Sequence, residues 1–411
     1  MAFITFVTPY KPIICGIADY THFIVKASPP DSCDVITFNL DNYGVPLHKD
    51  PVPLTVPVWY GIPSRDDFSA SSILEGLIPH KDHVLWFQHE FGIWPDNTKF
   101  IEMIRNLSQV KVVTLHTLHF QSSQTPYGMR KSEWSFLGQL LPNTDAITVF
   151  SNGVYKAVTS AFPEYAYKVH ILRHGTHLYS ETAHMSRSQA KVSIHEYFMG
   201  DSELNQASKC KLKQTPFFLD QNTIVIGAAG FITASKGTTF LYQARNRLQQ
   251  MLPQNEIAAV HVGMLREADN DNSIDGKYAA DLRISGNVDG QFFFETYLPE
   301  DKLPIYLRAL DIHFYWPRDC TQSGILAHAL GVGAVIACRD MEGVGETVRL
   351  AGGLACKELD QLIIGLRELI LDRKDREKIS ARSLRYANSL SWKNQVLQHF
   401  ELADRLCNPK N

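Results

Sequence analysis

The chain has 411 residues, 40 Lys+Arg against 43 Asp+Glu, a net charge of −3, and 45% apolar and 20% charged residues. That length predicts two domains, each able to bury a core, and a near-neutral balance without a basic run excludes nucleic acid as an expected partner. Seven scattered cysteines with no C-x-x-C, no basic n-region at the start and no apolar run near the ~18 residues of a membrane span point to a reduced, cytoplasmic protein with neither disulfide frame, zinc site nor transmembrane segment; peripheral membrane contact stays open.

In chain order, strands are expected at 2–7 (AFITFV), 34–38 (DVITF), 83–88 (HVLWFQ), 110–115 (VKVVTL), 146–150 (AITVF) and 168–172 (KVHIL). Helices are expected at 97–107, 132–141 and 151–160, the last capped by Ser151. Several strands are apolar throughout, as in parallel strands covered on both faces, and strand–helix alternation means a doubly wound sheet. The polar stretch 179–222, with SRSQ and KCKLK, breaks this pattern and reads as a linker or mobile insertion holding a helix near 186–198. Alternation restarts with TIVIGAAGF (223–231), a helix after Lys236 and Gly237, and AAVHVG (258–263). A loop is expected over the Asp-, Asn- and Gly-rich 264–290, then DIHFYW (311–316), a helix near 323–332, VIAC (335–338) and helices over most of 358–407. The chain thus divides into an N-terminal Rossmann-like domain (1–178) rejoined by a C-terminal helix (391–407), a linker (179–222), and a C-terminal Rossmann-like domain (223–390). The class is α/β.

Ligands of such sheets bind at the carboxyl ends of the strands, and the polar residues there are the site candidates. Gly16, in CGIADYT (15–21), lets backbone N–H groups approach a diphosphate or acceptor. His89 and Glu90, in FQHEFGIW (87–94), are acceptor-side candidates, as is His119 in VVTLHTLHF (112–120). His116, at the end of the same strand, offers a neutral ring able to hydrogen-bond a ligand. RHGTH (173–177) reads as the turn by which the chain leaves the first domain. Lys236 and Gly237, in GAAGFITASKG (227–237), place a cation beside a glycine turn, where a strand runs into a helix. Thr321, Gln322, Ser323 and Gly324 open a helix whose N–H groups can hold phosphate or sugar oxygens.

In this order and spacing the motifs resemble the GT-B-fold retaining glycosyltransferases of family 4, which include many bacterial mannosyl- and glucosyltransferases. The resemblance covers nearly the whole chain. It implies two Rossmann-like domains facing a cleft, with Lys236, Gly237 and residues 321–324 on the donor, His328 on the nucleotide ribose, and Glu346 near the donor. His116, Lys236 and His89 carry the implied catalytic roles. Two departures stand out. Phe231 replaces the family's usual arginine, and Cys320 and His328 occupy the positions of its two glutamates.

The implied reaction moves a hexose, mannose or glucose, from a GDP- or UDP-sugar to an unidentified acceptor hydroxyl with retention, in glycan, glycolipid or other glycoconjugate biosynthesis. No metal or other cofactor is expected, and no glycosidase-type carboxylate pair is visible. The departures keep a second reading open: a catalytically weakened GT-B protein that binds nucleotide sugar or partners an active transferase. An epimerase or a glycan phosphorylase of the same fold is a third.

Overall fold

The apolar runs of the first half pair side by side. They are β1 (Phe3–Val7), β2 (Cys33–Phe38), β3 (Val58–Ile62), β4 (His83–His89), β5 (Val110–Leu115), β6 (Ala146–Val149) and β7 (Val169–Ile171). In the computed structural model, which describes residues 1–44, 47, 53–78, 80–200, 203–265 and 273–408, they form a parallel sheet in the order β3-β2-β1-β4-β5-β6-β7. All seven residues of β4 are buried, because helices cover both faces. Ile4, Phe6, Val84 and Trp86 point into one core; Val7, Leu85, Phe87 and Val113 point into the other.

The second sheet holds β8 (Ile224–Ala229), β9 (Ile257–Val262), β10 (Gln291–Phe294), β11 (Ile312–Tyr315), β12 (Ile336–Arg339) and β13 (Leu354–Cys356), in the order β10-β9-β8-β11-β12-β13, again parallel. Val225, Val260 and Phe292 face one core, and Ile226, Ala259 and Phe314 the other. Contacts divide the chain into Met1–Gly175 with Leu390–Asn411, and Thr176–Ser389. The C-terminal helix Trp392–Cys407, capped by Ser391, lays Trp392, Val396 and Phe400 on the first sheet's core. The Trp86 and His399 rings meet there at 4.6 Å.

Two segments and three strands depart from expectation. Residues 179–222, expected as linker or mobile insertion with a helix near 186–198, belong to the second unit; that helix is Arg187–Gly200, and Ser180–His184 and Gln206–Gln214 were not expected. Ala190, Ile194 and Phe198, four apart, make one fully buried stripe that the polar remainder of the segment conceals. Lys191 Nζ reaches Asp311 Oδ2 at 2.8 Å inside the core, and Lys211 Nζ donates to the carbonyls of Gly286, Val288 and Gln291. Within the expected loop 264–290 lies the helix Ile274–Ser285, started by Ser273 accepting from Gly276 N; residues 266–272 fall outside the described ones. Strands β3, β10 and β13 were not anticipated either. Among the described residues no helix is long and apolar enough to cross a membrane.

Candidate functional site

Strand order reverses between β1 and β4 in the first unit and between β8 and β11 in the second. The connections leaving such neighbours depart to opposite faces of the sheet, which opens a crevice at the strands' carboxyl ends.

In the second unit the segment after β8 makes a 3-10 turn at Ala234–Lys236 and a left-handed step at Gly237 (φ 62°) before the helix Thr239–Met251. Lys236 and Gly237 therefore precede the helix instead of opening it. A Cβ at Gly237 would overlap the carbonyl oxygen of Trp316, so the loop after β8 lies directly on the loop after β11. Arg318 N donates to Ser235 O at 2.6 Å and ties the two. The Lys236 ammonium lies about where a Gly230 side chain would begin, 3.1 Å from a Cβ placed there.

Beyond that tie the loop after β11 turns at Cys320 and enters the helix Gly324–Gly331. The Cys320 thiol donates to Gln322 O at 2.9 Å and lies 3.3 Å from the Tyr315 hydroxyl. Burial pushes this thiol up, so it stays neutral and supplies no charged acceptor. Ser323 is the N-cap, yet its side chain makes no capping bond, and Gly324 is exposed with nothing within 4 Å of a Cβ. The N-cap side chain thus leaves the first-turn N–H groups to other partners, at the positive end of the helix. The other flank of the loop meets the helix Glu342–Leu350: a Cβ at Gly343 would lie 2.7 Å from Thr321 O. Glu346 is half-buried in that helix. Lys236, residues 321–324 and the start of the Glu346 helix are thus brought together around one loop.

His328 points elsewhere. Its Nδ1 is 2.5 Å from the Tyr179 hydroxyl, and its ring stacks on His177 at 3.9 Å and 8°. Its ring, one turn inside the helix, is turned toward residues 177–179.

In the first unit Gly16 is the exposed first residue of the helix Gly16–Ala27, with Cys15 as N-cap; it is not in the preceding loop. His89, expected to face substrate, is 1% exposed. Its ring stacks on Phe136 at 4.6 Å with the edges of Phe91 and Phe100 against it. Burial pushes its pKa down to about 3. The structure thus places His89, expected as a catalytic and acceptor-side residue, among the aromatic side chains of the core. Glu90 beside it is half-buried, and its Oε2 accepts from Gly92 N at 2.6 Å, closing the turn after β4. His119, expected on the acceptor side, ties its loop to the helix Lys131–Leu140. It is buried, and its Nδ1 bonds Glu133 Oε1 at 2.5 Å while Glu133 Oε2 accepts from Arg130 N.

His116 alone of these three histidines is half-buried. Its Nε2 donates to Gln88 Oε1 at 2.7 Å, and the Tyr20 and Phe150 rings stand 4.9 and 5.1 Å away. Burial first, then His174 and His89, hold its pKa near 3, so the ring is neutral at physiological pH. Gln88 went unread in the sequence; its signal was an amide inside an apolar strand, at the residue before the strand's end. Among the described residues no group of three or more His, Cys, Asp or Glu side chains is arranged to hold a metal ion.

No family model matches the chain, and no curated protein is similar to it in sequence. Solved structures are similar in fold over almost the whole length. One is an α,α-trehalose-phosphate synthase (UDP-forming) from Burkholderia xenovorans in complex with glucose-6-phosphate, with TM-score 0.68 and 11% identity, covering 98% of this chain and 100% of that one. Another is the E. coli trehalose-6-phosphate protein bound with UDP-2-fluoro glucose, with TM-score 0.65 and 12% identity, covering 98% and 99%. A third is a trehalose-6-phosphate synthase studied for enzymatic glycosyl transfer with retention, with TM-score 0.66 and 12% identity, covering 98% and 99%. With its two doubly wound parallel sheets, the chain has the GT-B fold. None of these three neighbours is described as a family 4 protein, so they carry the fold and not that finer placement.

Proposed function

We propose that this chain is a retaining glycosyltransferase that moves a hexose from a nucleoside diphosphate to an acceptor hydroxyl. The observation that carries the reading is the grouping of Lys236 with the open helix start at 321–324, at the strand reversal between β8 and β11. Glycosyl transfer passes through an oxocarbenium-like state while negative charge grows on the departing diphosphate. A fixed ammonium and a row of helix N–H groups stabilise that charge most where it is greatest. The neutral Cys320 thiol leaves the cationic character of this grouping undiminished. His116, neutral and held from two sides, suits a contact to a sugar hydroxyl.

Of the mannose and glucose donors that family frequency suggests, the similar structures favour UDP-glucose. The acceptor is left as a hydroxyl-bearing sugar or lipid. The second reading, a weakened GT-B protein serving as a partner subunit, draws on two particulars: Cys320 and His328 stand where family 4 proteins carry glutamates, and both are hydrogen-bonded inside the protein.

The test is incubation with UDP-glucose, GDP-mannose and other nucleotide sugars, following slow release of nucleoside diphosphate. Release from one donor that Lys236→Ala abolishes supports the transferase. Donor binding without release, with any candidate acceptor, supports the partner-subunit reading.

A further inference from the structure

His261 stands in β9 among apolar residues, 1% exposed, and neither of its ring nitrogens has a hydrogen-bond partner among the described residues. A buried imidazole without partners destabilises a core that an aliphatic side chain would fill without that cost. Departures of this kind are found where a fold serves a ligand. Burial first, then Lys236 and His313, push its pKa down to about 3, so the ring is neutral. A neutral imidazole still donates through one nitrogen.

The geometry around the ring shows where it is aimed. Val260 and Val262 face one core of the second sheet; His261, between them, turns to the other face, where its ring lies beside Phe293 at 5.8 Å and 21°. It leans toward the carboxyl end of the strand, because a Cβ on Gly263 would lie 2.9 Å from His261 Nε2. The same Cβ would lie 2.0 Å from Gly230 O, and a Cβ on Gly230 would lie 3.1 Å from Lys236 Nζ. Gly230 has φ 115°, a conformation that suits glycine alone. Side chains at these two glycines would crowd the imidazole and the ammonium. The backbone that carries them is fixed: Gly230 N donates to Val262 O at 3.0 Å, Ile232 N to Met264 O at 2.9 Å, and Gly263 N to Phe294 O at 3.1 Å. The ends of β8 and β9 thus bring a neutral donor and a cation to one pair of glycines, beside the strand reversal between β8 and β11. Two donors, one of them charged, suit an oxyanion: the ammonium attracts it and the imidazole N–H gives it direction.

We propose that His261 is a further ligand of the donor's diphosphate, donating a ring N–H to a phosphate oxygen at the glycine pair that Lys236 also reaches. This rests on the reading of Lys236 as the cation of the leaving diphosphate, and adds to it a second, uncharged donor from the neighbouring strand.

The experiment is calorimetric titration of the full-length protein with inorganic pyrophosphate, UDP and GDP, alongside hydrogen exchange of the β9 amides. The wild type is expected to bind pyrophosphate and one of the two nucleotides. His261→Leu, which keeps the bulk and removes both nitrogens, is expected to weaken both by about 10- to 100-fold. Protection of β9 is expected to stay equal or rise, because an unpaired buried group has gone. His261→Gln, which carries a donor at similar reach, is expected to recover part of the affinity. Pyrophosphate affinity unchanged in His261→Leu overturns the proposal, as does a loss confined to the nucleotide, which puts the ring on the base. Affinity and β9 protection falling together, with no recovery in His261→Gln, overturn it too, as does a wild type that binds none of the three. Failure of the transferase reading shows itself separately: no donor releases nucleotide, while His261→Leu still weakens pyrophosphate binding.

Discussion

Gly237 combines a left-handed backbone with a backbone oxygen in the space that a side chain would take. Its φ of 62° lies in the left-handed region, which costs a residue with a Cβ roughly 1–2 kcal/mol. The Cβ would also overlap the carbonyl oxygen of Trp316 and sit 3.1 Å from the Phe240 ring. The carbonyl is backbone and cannot rotate aside, and overpacking of this kind costs typically about 1–3 kcal/mol. Gly237→Ala is therefore expected to destabilise the second unit by about 2–5 kcal/mol. It should also break the bond from Arg318 N to Ser235 O that ties the two loops. Two units need not unfold together, so one global midpoint would blur the effect; native-state hydrogen exchange of β8 and β11 amides reads the second unit alone. At ~1.4 kcal/mol per tenfold, protection there should fall by about 30-fold or more, with β5 amides as an internal reference. Gly16→Ala is the control: its Cβ meets nothing within 4 Å, and the expected change is within ~0.5 kcal/mol. Unchanged protection of β8 and β11 in Gly237→Ala would refute the claim that these loops are locked against each other.

Lys236→Ala should weaken donor binding by about 10- to 100-fold, the worth of one charge-assisted hydrogen bond, with Lys236→Arg recovering part of it in a calorimetric titration. Asp34 is buried, and desolvation raises its carboxyl from 3.8 to about 6. The folded state then holds a proton that the unfolded state has lost, so this group's contribution falls as pH rises from 4 through 6, by up to ~3 kcal/mol. Asp34→Asn should match the wild type in urea at pH 4 and exceed it at pH 8; a constant difference at both would exclude the linkage. Glu133 accepts from His119 Nδ1, His119 N and Arg130 N, so Glu133→Ala removes the acceptor of all three bonds. It should cost about 3 kcal/mol and admit protease at 119–130, which a limited-digestion time course would show.

How much of this was written in the chain itself depends on range. The apolar runs around Val84–Phe87, Val112–Val113 and Ile224–Ile226 are period-free and short, and bounded by polar strand ends, so a doubly wound α/β fold with its ligand crevices at those ends follows from local pattern alone. So does the placing of Lys236 beside a glycine turn, and Ser151 as a helix cap. The sequence is weaker wherever the deciding partner lies far away along the chain. His89, His116 and His119 have the same side chain near neighbouring strand ends, and nothing local distinguishes them. Packing does: Phe136 and Phe100 enclose the first, Gln88 holds the second half-open, and Glu133 claims the third. His328 is likewise turned by Tyr179, 149 residues away. The helix Arg187–Gly200 reads as polar because one stripe of Ala190, Ile194 and Phe198 suffices to bury it. Local preference sets which segments are strand or helix. The direction of a polar side chain depends on which distant groups satisfy its hydrogen bonds, and that is settled only when the sheets and helices close around it.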